Sequence, residues 1–252
     1  MGGGTVSLIP VKLDRPVGPG DGLAALIVEA VSLSDGDVVV MASSVVSTVE
    51  GRSVSLDDIE PSDKADEVAR QTGKNPRQVQ LILDQAQDLC VKRDVLLTRL
   101  EGGLVCANAG VDRSNAGDGR ALILPSDSDA SAELLRSELE ARTGKRIGVV
   151  VSDSHGRPLR LGCIGVALGA SGITTLYDRR GDVDLFGRPL ESTIVALGDV
   201  LASAAQLVMG EASELIPAVV VRGVDVLGSG SGRELIRPPD KEIFLAEWAR
   251  VR

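Results

Sequence analysis

Asp35-Gly36-Asp37-Val38-Val39-Val40-Met41-Ala42-Ser43-Ser44 carries the reading of the fold. Asp-Gly-Asp is a turn signal, because Gly and Asp tolerate the backbone angles a reversal needs. The apolar run after it is short, continuous and rich in β-branched side chains, which predicts a buried strand. It stops at Ser43-Ser44, where two hydroxyls meet whatever lies beyond the strand. Three further runs repeat the pattern. Leu104 to Ala107 precedes Ala109-Gly110-Val111-Asp112, Ile147 to Val151 stops at Ser152-Asp153-Ser154, and Ala218 to Val221 follows Pro217 and stops at Arg222-Gly223.

Helices are expected between these strands. Asn75 before Pro76 fits an N-cap with proline at the first helical position, and Val79, Ile82, Leu83 and Leu89 recur near helical spacing. A second helix runs from about Asp129 to Thr143 and ends on Gly144, a good C-cap. A third runs from about Thr193 to Met209, with Ile194, Leu197, Leu201, Ala204 and Val208 as its stripe and Gly210 as its stop. Strands and helices mix without the alternation of a barrel. The expected class is therefore α+β or mixed α/β, with mixed sheets and packed helices. Residues 1–252 read as a single unit with room for a smaller subdomain, and Gly228-Ser229-Gly230-Ser231-Gly232 reads as a mobile loop.

Composition narrows the function. Hydrophobic residues make up 43% and charged residues 25%, a globular balance, and with aromatics at 2% the core must come from Val, Leu, Ile and Ala. A net charge of −9 argues against a nucleic-acid partner. A small anion remains acceptable, since a bound cation reverses the local field. Cys90, Cys106 and Cys163 are odd in number, widely spaced and without a C-x-x-C pair, so reduced thiols in a cytoplasmic protein are expected. Met1-Gly2-Gly3-Gly4-Thr5 has no basic or apolar leader region. No apolar run approaches the ~20 residues that span a bilayer.

The informative residues end the strands. Asp112, Asp153 and Glu211 lie in short segments rich in Gly, Ser and Asn, where carboxylates from separate loops can converge on a hard cation. Taken singly, each is more often a turn or cap residue. No Walker A loop or Rossmann fingerprint occurs, and no G-x-S-x-G elbow accompanies the single histidine, so a Ser-His-Asp hydrolase is excluded. His155 could act as a base or a ligand, although a lone histidine in a polar turn is more often a surface residue.

The ordered motifs resemble one family, the coenzyme F-420 γ-glutamyl ligases. They are Ile9-Pro10-Val11, Asp35 to Ser44, Val45 to Arg52, Ala109-Gly110-Val111-Asp112-Arg113-Ser114-Asn115, Ser152-Asp153-Ser154-His155-Gly156-Arg157, Met209-Gly210-Glu211 and Ile216 to Gly223. The resemblance implies GTP-dependent addition of L-glutamate to a deazaflavin precursor, followed by γ-linked glutamates. It implies a two-metal site with Mg²⁺ or Mn²⁺, helped by K⁺, and an intertwined homodimer. Asp112 and Asp153 would be catalytic and share one ion, with Ser154 and Glu211 at the second. Nucleotide contacts would fall on Lys12, Leu13, Asp14, Arg15, Ser43, Ser44, Thr48, Asn115 and Met209, Gly210, Glu211, Ala212, Ser213, Glu214, Leu215 and Ile216. Thr48 stands where the family usually carries a lysine, which opens the choice of nucleotide. Two alternatives stand beside this reading: a paralogous amide ligase with another acceptor or amino acid, and a non-catalytic metal- or nucleotide-binding module.

Overall fold

The computed structural model describes residues 4–238, 241, 249 and 250. Met1 to Gly3, part of the stretch read for a leader, lie outside the described residues. In chain order the elements begin with strand β1 (Ser7–Val11), helix α1 (Leu23–Ala30), β2 (Val38–Ala42), α2 (Ser43–Val49) and β3 (Ser53–Ser55). Then come α3 (Asp63–Thr72), α4 (Pro76–Gln85), β4 (Ala86–Lys92), β5 (Val95–Leu100), β6 (Val105–Ala107), β7 (Arg120–Leu122) and α5 (Ser128–Thr143). The series closes with β8 (Gly148–Arg157), β9 (Arg160–Ser171), β10 (Leu176–Asp178), β11 (Ile194–Ala196), α6 (Leu197–Met209), β12 (Ala218–Arg222) and β13 (Ala249–Arg250).

The main sheet has the order β1-β12-β2-β8-β9, with β2 and β8 parallel and the other neighbours antiparallel. Its central strand β2 is apolar on every residue, and the inner part of β8 likewise, because both faces are covered there. Val39 and Met41 of β2 join Val149 and Val151 of β8 in a core with Ile27 of α1 and Leu135 and Leu139 of α5. Val38, Val40 and Val150 point the other way, onto Leu201, Ala202 and Ala205 of α6. The class is mixed α+β, as the sequence predicts.

A second core lies apart. Val68 of α3, Ile82 of α4, Leu89 of β4, Leu96 of β5, and Val111 and Ile123 pack on one another. Here the expected helix is cut short. It ends at Gln85, and Leu89 enters this core from a strand paired with β5. The third predicted helix also starts later, at Leu197, with Ile194 on β11 against Asp178. Caps fall as predicted: Asn75 accepts from the Arg77 N–H at 2.8 Å, and Gly144 closes α5 in the left-handed conformation.

Two other expectations change. β8 does not stop at Val151 but continues through Ser152, Asp153 and Ser154 to Arg157, paired with β9 along the way. The register slips between Val151 and Ser152, a β-bulge where the strand leaves the core. The Gly228–Gly232 segment is tied down. Its amides donate to Gly172 O (3.1 Å), Ile173 O (2.6 Å) and Asp129 Oδ1 (2.6 Å). Among the described residues no helix is long and apolar enough to cross a membrane.

Candidate active site

Asp153 and Asp112 come from different cores. Asp153 sits on β8 beyond the bulge, next to the end of β2, where Ala42 pairs with Ser152. Asp112 follows Val111 of the second core and bridges Leu122, exchanging backbone bonds of 3.0 and 2.7 Å. Both line one cleft of about 610 Å³ between the two cores, along with Ser154 and Glu211.

Local bonds fix each acid. Ser43, buried at the start of α2, donates its Oγ to Asp153 Oδ1 at 2.7 Å. Asp112 Oδ1 accepts the Ser114 N–H at 2.7 Å, the turn bond that an aspartate in such a loop is expected to make. Ser154 Oγ lies 2.7 and 2.8 Å from the two Glu211 oxygens, and Gln206 Nε2 donates to Glu211 Oε1. Gln206 Oε1 in turn accepts the Gly165 N–H at 2.7 Å. That contact needs glycine at 165, because a Cβ there would overlap the Ala202 carbonyl of α6.

The loop after α6 is compact. Gly210 has φ 77°, a conformation that favours glycine, and a Cβ there would meet the Glu214 carboxylate. Glu214 Oε2 accepts the Ala212 N–H at 2.8 Å, and this bond holds the Glu214 carboxyl below its usual range. Leu215 offers its carbonyl to the Leu13 N–H at 3.0 Å, which joins the loop to the segment after β1. Asn115 Nδ2 reaches Ala212 O at 3.3 Å across the cleft.

The structure therefore brings Leu13, Arg15, Ser44, Thr48, Asn115 and Met209 to Ile216 to the cleft wall, while Lys12, Asp14 and Ser43 are not among the lining residues. Ser43 is spent on Asp153. Arg15 makes two bonds to Asp21, 2.7 and 3.0 Å, which pull the Asp21 carboxyl down to about 2. The Thr48 hydroxyl turns back on its own helix, donating to Ser44 O at 2.8 Å. His155 is not the surface residue its polar neighbourhood suggests: its side chain is 13% exposed, with Nε2 3.1 Å from Asp153 Oδ2.

Sequence reading missed two residues. Gln206 hides inside an apolar helix stripe and carries no motif. Asn108 follows β6 with φ 53°, before Ala109 at φ 54°, two successive left-handed residues that are not glycine. Its Oδ1 is buried without a hydrogen-bond partner, and the residue lines the cleft.

The wall carries four carboxylates, Asp112, Asp153, Glu211 and Glu214, against the single guanidinium of Arg15. Among the described residues no three His, Cys, Asp or Glu side chains stand close enough to cage a metal. The donors nonetheless fit a hard divalent ion. Mg²⁺ in phosphate-handling sites takes one or two carboxylates and completes its shell with substrate phosphates and water. The unpartnered Asn108 oxygen adds a neutral donor of the same kind.

A cleft built from positioned oxygen donors suits an enzyme that aligns and neutralises its substrates. Comparison with known proteins gives the family. The model of the F420-0:Gamma-glutamyl ligase family matches residues 13–223, and the chain belongs to that family. It is an amide-forming ligase. A coenzyme F420:L-glutamate ligase of Methanopyrus kandleri is 51% identical over 251 residues, covering 97% of this chain and 100% of the relative. One of Methanocaldococcus jannaschii is 50% identical over 214 residues (84% and 86%). One of Haloarcula marismortui is 41% identical over 245 residues (94% and 95%).

Proposed function

We propose that this chain is a cytoplasmic ligase that adds L-glutamate to the deazaflavin coenzyme F-420 precursor with GTP as co-substrate, then extends the tail through γ-linkages. The observation that carries the reading is the acidic cleft itself. Four carboxylates would repel a nucleoside triphosphate unless cations came with it, and a family whose relatives are named glutamate ligases needs an activated carboxyl.

A carboxylate is a poor electrophile. Phosphorylation to an acyl phosphate makes it reactive, and the glutamate amine then displaces phosphate. Mg²⁺ or Mn²⁺ held through Asp112, Asp153, Ser154 and Glu211, with K⁺ as a helper, would supply neutralisation of the phosphate charge. The protein's own part is placement. Ser43 fixes the rotamer of Asp153, Ser154 and Gln206 fix Glu211, and the Ala212–Glu214 turn shapes the loop against Leu13. Asn115, bonded to that loop, is positioned to meet the nucleotide. Thr48 supplies no charge, so the backbone of the loop must carry more of the phosphate contact.

The test is incubation with GTP or ATP, the deazaflavin precursor and single amino acids, followed by mass spectrometry. A glutamate adduct formed with GTP supports the reading. Turnover without glutamate, or none with the precursor, overturns it.

The same proposal includes the homodimer. Leu159 and Leu161 at the tip of the β8–β9 hairpin are each 98% exposed, and Leu185 and Phe186 between β10 and β11 are 99% and 86% exposed. Apolar side chains on two projecting arms suit a second copy of the chain. A monomer in sedimentation equilibrium at micromolar concentration would refute this.

A further inference from the structure

One atom pair in the cleft is left unexplained by that chemistry. His155 is the chain's one histidine and lies on β8. Its Nε2 is buried and makes no hydrogen bond, yet it lies 3.1 Å from Asp153 Oδ2. The other Asp153 oxygen is already engaged by Ser43 at 2.7 Å. A protonated imidazole facing a carboxylate would be expected to align its N–H with the oxygen. Here the two atoms are close but out of line for a hydrogen bond.

Two donor atoms at this spacing match adjacent corners of one coordination shell. Bonds of ~2.1 Å at right angles set neighbouring ligands ~3.0 Å apart. We infer that His155 Nε2 and Asp153 Oδ2 bind the same divalent cation, and that the imidazole tilts this position toward a first-row transition ion such as Mn²⁺ over Mg²⁺. The inference rests on the reading of Asp153 as a metal ligand, and it adds a nitrogen to an otherwise all-oxygen set. Mg²⁺ gains little from an imidazole, whereas transition ions accept one readily.

The surroundings agree. A metal-bound histidine is oriented through its other ring nitrogen, often by a carboxylate. Beside Asp153, Asp199 of α6 is a second acid that this ring influences electrostatically. Burial pushes its carboxyl up, while the Ala167 N–H and the neighbouring His155 work in the opposite direction. Asp199 Oδ1 accepts that N–H at 2.9 Å, so the carboxylate is held in place by β9.

The experiment uses full-length protein without a histidine tag, grown with ¹⁵N-labelled histidine and loaded with Mn²⁺ alone. With a single histidine in the chain, any imidazole coupling in pulsed electron paramagnetic resonance comes from residue 155. The expected result is a ¹⁵N coupling on bound Mn²⁺ that vanishes in His155→Asn. In that variant Mn²⁺ affinity falls roughly tenfold, as changes around a metal commonly produce, while competition shows Mg²⁺ affinity nearly unchanged. Mn²⁺ binding that depends on Asp153 but shows no nitrogen coupling overturns the role of His155 and leaves the Asp153 reading standing. Absence of Mn²⁺ binding, or binding that survives Asp153→Asn, overturns both. Circular dichroism melts of each variant separate loss of a ligand from loss of the fold.

Discussion

Replacing Gln206 with leucine changes the volume little and removes the bonds to Gly165 and Glu211, with longer ones to Ser154 (3.4 Å) and Cys163 (3.7 Å). In the native site the amide spans from the Gly165 N–H of β9 to Glu211 Oε1. A hydrogen bond to a charged group contributes about 1.5–3 kcal/mol. Glu211 is exposed and keeps Ser154, so the lower end, about 1.5 kcal/mol, applies to its placement. The Gly165 N–H loses its acceptor in a partly buried position, which costs about 1–2 kcal/mol of stability. If Glu211 acts where Gln206 holds it, losing about 1.5 kcal/mol in the transition state lowers kcat/KM by about tenfold. Steady-state formation of the glutamate adduct measures the first effect and urea unfolding the second. A variant that is destabilised by about 1–2 kcal/mol yet turns over within twofold of wild type would refute the claim that Gln206 positions Glu211 for reaction.

Asp153→Asn should abolish most turnover while the thermal midpoint stays near that of wild type; retained activity in a product assay removes Asp153 from the chemistry. Arg222→Ala should destabilise the main sheet, because it strips two bonds of 2.8 and 2.7 Å from Asp37, which is 1% exposed and keeps only the Ser34 N–H. Orphaning a fully buried charge costs about 3–5 kcal/mol, but Arg222 is 37% exposed and water can replace part of it, so about 2 kcal/mol is expected in urea unfolding. At pH 8 a thiol reagent should modify exposed Cys163 and spare Cys106, whose thiol is pushed up to about 12 chiefly by burial. The unfolded thiol ionises near 9, so this group's contribution is intact below pH 9 and declines as pH rises toward 12. Near pH 10 the loss is about 1.4 kcal/mol, and Cys106→Ala should flatten that part of the stability profile.

What the sequence disclosed follows from what each element is made of. β2 is legible because both its faces are buried, so every residue from Val38 to Met41 is apolar and no helix face could accommodate them. α5 is legible because Gly144 marks its end. β4 is not, since Leu89 falls near the helical spacing of Val79, Ile82 and Leu83, and only pairing with β5 makes it a strand. The outer half of β8 is polar and reads as a loop, yet β9 pairs with it as far as Arg157. The glycines at 228–232 read as mobile because composition does not show that Asp129, Gly172 and Ile173 wait to accept their amides. At the site, the acids were visible as strand-end residues. Gln206, which holds Glu211, was not, because a polar residue within an apolar helix has no pattern of its own, and Asn108 was not, because its left-handed backbone is invisible in the sequence.

The β8–β9 hairpin also sets a mechanical relation. Its inner end is clamped in the sheet, its tip carries Leu159 and Leu161, and Asp153, Ser154 and His155 lie on the length between. The six steps along the chain from Asp153 to Leu159 span about 20 Å when extended. The apolar tip and three side chains of the cleft wall are therefore parts of one paired ribbon, which leaves the sheet core at the bulge beside Ser152. A contact made at the tip would bear on the same ribbon that presents Asp153, Ser154 and His155 to the cleft.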